Sequence, residues 1–136
     1  MKKILALTLL AITVSISVFA QQDIKFEAGS FNFGKIAQGT PVTHVFTFKN
    51  TGAKPAVVEY CTAECGCTTP EVTKEPILPG KSAKITVHYN TQGRPGPIFK
   101  SVFIQSNAQL PEGKDRYEIF IRGTVTQAAP AAAPAK

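Results

Sequence analysis

In four separate runs between Thr43 and Val125 apolar side chains recur at every second residue, a period that calls for extended backbone rather than helix. In residues 43–50, Phe46 and Phe48 share one face while Thr47 and Lys49 take the other. Ile85, Val87 and Tyr89 repeat the pattern, Val102 and Ile104 continue it, and Ile119, Ile121, Gly123 and Val125 share a face in the last run. Shorter strands are expected at 24–26 and 31–33, and the apolar run 55–58 follows an Asn50-Thr51-Gly52 turn. Leu78-Pro79-Gly80-Lys81 and Arg94-Pro95-Gly96-Pro97 both set proline second and glycine third. That is the type II arrangement, because proline presets φ and glycine accepts a positive one. About seven strands, each with one apolar face, must pair those faces across a shared core. The expected fold is all-β, an immunoglobulin-like β-sandwich.

The two ends of the chain read differently. Lys2 and Lys3 precede an apolar stretch over 4–14 that only Thr8 and Thr13 interrupt. Val18-Phe19-Ala20 then offers small or β-branched side chains where a signal peptidase reads, so residues 1–20 are expected to be a signal peptide. The stretch is shorter than the roughly 20 residues a membrane span requires. The expected product is periplasmic or secreted, with no span after cleavage. Residues 128–136 are alanine and proline up to Lys136 and hold no large apolar side chain. They read as a disordered tail whose deletion should leave stability unchanged. Residues 21–127 remain, enough for one domain with its own core.

Charge narrows the class of partner. Removing Lys2 and Lys3 from 15 basic residues leaves 13 against 9 acidic ones, a net charge of +4. The basic residues are scattered without a run, so the excess favours solubility and gives no nucleic-acid footprint.

The order Phe31-Asn32-Phe33-Gly34, Phe46-Thr47-Phe48-Lys49-Asn50-Thr51-Gly52, Cys65-Gly66-Cys67-Thr68, Pro76-Ile77-Leu78-Pro79-Gly80 and Gly93-Arg94-Pro95-Gly96-Pro97 resembles a secreted bacterial family. That family is known only as domain of unknown function 1573 and is similar to Hydin-like and major-sperm-protein-like immunoglobulin modules. The likeness runs over about residues 31–125. It implies a fold and an exported compartment, and no activity. Cys61 stands outside the Cys-Gly-Cys pair of the motif.

All three cysteines fall within seven residues, Cys61 at the end of an expected strand and Cys65 and Cys67 in the loop that follows. In an exported protein pairing is the default, and an odd count leaves one thiol over. Cys61 is expected to be a paired one, since a Cys65–Cys67 bond spans Gly66 alone and needs Cα atoms within roughly 7 Å. Were that bond formed, it would read as redox-active rather than structural. A soft-metal site is a further alternative. Thiolates suit monovalent copper or zinc, and Cys61, Cys65 and Cys67 would need His44 as a fourth ligand. His44 is in phase with Phe46 and Phe48, whereas His88 points away from Val87 and Tyr89. Glu64 and Glu71 flank the cysteines as loop acids. Without a metal there, no cofactor is expected.

No nucleophile elbow, phosphate loop or His-x-x-x-His is present, so the chain is not expected to be an enzyme. Binding is the stronger class. Phe103 and Phe120 fall opposite the core-facing Val102/Ile104 and Ile119/Ile121, on strands that are usually neighbours in such a sandwich. Together with Tyr117 they are expected to form an outer contact patch for a protein partner in the cell envelope.

Overall fold

The structure, a computed structural model, describes residues 23–127; the expected signal peptide at 1–20 and tail at 128–136 lie outside the described residues. Eight strands follow one another: β1 (Ile24–Phe26), β2 (Ser30–Ala37), β3 (Val42–Asn50), β4 (Val58–Ala63), β5 (Thr68–Val72), β6 (Ser82–Tyr89), β7 (Gly96–Ser106) and β8 (Tyr117–Thr126). They form two four-stranded sheets, ordered β1-β3-β6-β5 and β2-β8-β7-β4. Neighbours are antiparallel except β2 and β8, which run parallel. No helix among the described residues is long and apolar enough to cross a membrane.

The period-two residues meet as expected. Phe46 lies opposite Ile85 in one sheet and Val102 opposite Ile119 in the other. Phe46, Phe48, Ile85, Val87, Val102, Ile104, Ile119 and Ile121 are all at most 2% exposed. Burial of that apolar surface drives the two sheets together. Tyr117 joins this core. Its ring is 3% exposed, and its hydroxyl donates to the Gln109 carbonyl and accepts from the Ile24 N–H at 3.3 Å.

β5 is the strand beyond the expected set. Its residues Thr68-Thr69-Pro70-Glu71-Val72 scarcely alternate in polarity, and Pro70 cannot donate to a ladder. An edge position resolves both difficulties: β5 pairs only with β6, so proline and mixed polarity are tolerated there.

The turns agree in one case and differ in the other. Lys81 N–H bonds the Leu78 carbonyl at 3.0 Å, and Gly80 takes φ +78°, a type II turn as read. At the second proline–glycine segment the closing bond instead runs from Arg94 N–H to the Thr91 carbonyl at 3.1 Å, with Gly93 at φ +68°. Pro97 has no N–H with which to close a turn from Arg94. The chain therefore turns three residues earlier and enters β7 at Gly96.

Candidate functional sites

The outer face of the β2-β8-β7-β4 sheet carries an aromatic and arginine cluster. In the β7–β8 register Phe99 lies opposite Arg122, Ser101 opposite Phe120, and Phe103 opposite Glu118. Phe120 thus has Phe99 and Phe103 on its two diagonals. The ring that stacks on it is Phe99, with centroids 5.5 Å apart and planes 23° from parallel. Sheet twist brings one diagonal nearer than the other. The Arg122 guanidinium lies over Phe99 at 5.1 Å, and that of Arg116 over Phe103 at 4.9 Å. On the same face Tyr60 stands opposite Gln105. Phe99 and Tyr60 are 54% and 55% exposed.

Two expectations change here. Tyr117 is not part of the patch, because it opens β8 on the inner face, where its hydroxyl ties β1 to the loop before β8. Phe120 keeps its outer position but takes Phe99, not Phe103, as its stacking partner. Phe99, Tyr60, Arg116 and Arg122 escaped sequence reasoning. For Phe99 a signal existed, since it shares the parity of Phe103 once β7 is extended back to Gly96.

The cysteine corner lies where β4 hands the chain to β5, crossing from one sheet to the other. Cys61 is inside β4, opposite Ile104, and so faces the core. Cys65 and Cys67 form a disulfide with Cα atoms 5.2 Å apart. Cys61 remains a free, half-buried thiol, and burial pushes its pKa up to about 12. The expected pairing of Cys61 is therefore replaced. The turn after Ala63 brings the two ends of Cys-Gly-Cys within bonding reach, while the inward rung of β4 holds Cys61 against the core. Thr68 N–H bonds the Cys65 carbonyl at 3.2 Å, and Asn90 N–H bonds that of Cys67 at 2.9 Å. The Thr68 hydroxyl sits 3.7 Å from the Cys65 sulfur and 3.8 Å from that of Cys67.

His44 is brought elsewhere. Its ring stacks on Phe31, with centroids 3.5 Å apart, and meets Phe46 edge-on. Burial there holds its pKa below the ordinary histidine value. His88 lies on the outer face, where Nδ1 is 2.8 Å from the Thr43 hydroxyl and Nε2 is 3.6 Å from Glu71. Glu64 accepts from Ser101 N–H at 3.4 Å. Neither acid is directed at the sulfurs by these contacts. Among the described residues no three of His, Cys, Asp or Glu gather as a metal-holding group. Beside the disulfide an open cleft of about 440 Å³, lined about equally by polar and apolar surface, includes Val42, Thr43, Gly66, Cys67, His88 and Tyr89.

The two four-stranded sheets and their strand order define an all-β, immunoglobulin-like sandwich. A similar sandwich is seen in PapD-like domain 7 of human CEP192, with TM-score 0.63 and 10% identity over 79% of this chain and 87% of that one. WR4, a major-sperm-protein family member of Caenorhabditis elegans, gives 0.53 and 10% over 78% and 100%. The chain belongs to the family described as "Protein of unknown function (DUF1573)", whose model matches residues 24–125. A protein of unknown function from Porphyromonas gingivalis W83 is similar at TM-score 0.63 and 15% identity, over 83% of this chain. This chain spans about half, 51%, of that protein's length. Proteases of Vibrio cholerae also contain such a sandwich, matched over 32% and 25% of their chains. At these identities the likeness is one of fold. No curated protein matches the sequence.

Proposed function

We propose that this chain is an exported protein-contact module that engages an envelope protein through the outer face of its β2-β8-β7-β4 sheet. The observation that carries this reading is the solvent-exposed Phe99 ring, stacked on Phe120 and capped by Arg122. Aromatic and arginine side chains dominate the energetic centres of protein interfaces. Stacking already restricts these rings, so little side-chain freedom remains to be lost on binding. Arg122 favours a partner that brings an apolar anchor beside a carboxylate, while Arg116 is already paired with Asp115 through two bonds of 3.1 and 2.9 Å. The amino-terminal signal pattern supports a periplasmic or secreted site of action. The role proposed is binding rather than turnover.

Replacing Phe99 and Phe120 together by serine tests this. The melting temperature should stay near that of the wild type, because neither ring belongs to the inner core, while retention of the partner from envelope extract is lost. Unfolding of the double variant, or undiminished retention by a folded one, would contradict the reading.

A further inference from the structure

The disulfide closes over one residue, and the corner it occupies is already held by the Thr68-to-Cys65 and Asn90-to-Cys67 backbone bonds. A cross-link over so short a span also removes little freedom from the unfolded chain. Stability therefore leaves the bond largely unexplained, while its surroundings suit chemistry. Gly66 is exposed, and a side chain placed on it would meet nothing within 4 Å, so the rim above the pair is open to an incoming molecule. The two sulfurs are unequal: Cys65 is half-buried, whereas Cys67 is 6% exposed and belongs to the core. A buried hydroxyl, that of Thr68, lies within reach of both.

We propose that Cys65–Cys67 is a thiol–disulfide exchange site that accepts a thiolate at Cys65 and releases Cys67, with the Thr68 hydroxyl supporting the departing sulfur. The incoming thiolate attacks the sulfur of Cys65, the less buried residue of the pair, and forms a mixed disulfide with it. The Cys65–Cys67 bond breaks, its electron pair stays on Cys67, and the Thr68 hydroxyl donates a hydrogen bond to the new thiolate. A second thiolate then attacks the substrate sulfur of the mixed disulfide, releasing Cys65, and both protein sulfurs take up protons from water. Two substrate thiols are oxidised to a disulfide, and the protein pair is reduced to two thiols. Cys61 stays outside this exchange because its thiol, facing the core, remains protonated and poorly nucleophilic. The site is independent of the aromatic face.

Reduced glutathione added to the oxidised full-length chain, followed by a maleimide quench and peptide mass analysis, locates the attack. Glutathione should appear on Cys65 with maleimide on Cys67, and Cys61 should carry neither until the protein is denatured. Thr68→Val should slow adduct formation about tenfold, the rate equivalent of one hydrogen bond to the leaving sulfur. Thr68→Ser should keep the wild-type rate. A dithiol peptide outpacing glutathione assigns the natural substrate to protein cysteines, and the reverse order assigns it to small thiols. The proposal is overturned if glutathione accumulates on Cys67 or Cys61. It is equally overturned if neither thiol reduces the pair under conditions that reduce an unstructured Cys-Gly-Cys peptide, or if Thr68→Val reacts as fast as the wild type while remaining folded.

Discussion

Asn50 is fully buried, yet every polar group of its side chain has a partner. Its Nδ2 donates to the Lys54 carbonyl at 2.8 Å and to that of Ile77 at 2.7 Å, and its Oδ1 accepts from Gly52 N–H at 2.9 Å. A Cβ on Gly52 would come within 2.5 Å of the Asp23 side chain, so any larger residue there must displace Asp23. Asn50→Ala removes all three bonds; the Ile77 carbonyl keeps the Ala56 N–H at 2.9 Å, but the Gly52 N–H and the Lys54 carbonyl lose this partner, so chemical denaturation should show a loss of about 1–3 kcal/mol. Cys61 makes a prediction of opposite character. Its folded pKa, near 12, lies above the roughly 8.5 of a free cysteine, so the unfolded chain ionises first. Its contribution is intact below about pH 8.5 and is lost as pH rises from there towards the folded value. The stability difference between wild type and Cys61→Ala should therefore shift against the wild type through that window. Native protein at pH 9 should resist alkylation at Cys61 until denatured.

At the scale of elements, the register is the testable quantity. Phe48 is fully buried and lies opposite Ala83 across the β3–β6 ladder, beside the Phe26 ring at 5.4 Å. Phe48→Ala should cost about 3–5 kcal/mol in an equilibrium unfolding experiment, the usual loss for a buried aromatic and its cavity. A cost under about 1 kcal/mol would mean that β3 presents its other face. The strands that could be read from the sequence are those with one wet and one dry face, because only there does burial impose alternation. β3, β6, β7 and β8 are of this type. β5 was illegible because an edge strand with Pro70 obeys neither alternation nor donor rules. The run 55–58 places the start of its strand too early: Ala56 makes only an isolated bridge to Ile77, while β4 begins at Val58, contains Cys61 as expected and ends two residues later at Ala63. In the cysteine corner, clustering was legible and connectivity was not, since the direction of each sulfur depends on where β4 ends. Tyr117 failed for a similar reason. Its amphipathic ring suits either face, and the choice is made by the Gln109 carbonyl, eight residues away in a loop.

For the whole molecule, the two sheets bury their aliphatic faces against each other and leave contrasting exteriors. One outer face carries Lys84, Thr86 and His88 of β6; the other carries Phe99, Phe103, Phe120 and Tyr60 with two arginines. The proposed contact role follows from that contrast, since of the two faces the second combines exposed rings with planar cations. Parity along each strand made the two exteriors legible. Membership of the cluster was not, because it depends on diagonal neighbours set by sheet twist rather than on spacing in the chain. The most direct measurement is photo-crosslinking in the envelope from a benzoylphenylalanine placed at position 99 or, in a parallel sample, at position 84. A contact through this face yields a discrete partner adduct from position 99 that disappears with Phe120→Ser, and none from position 84. Equal labelling from both positions, or labelling from position 84 alone, would contradict it.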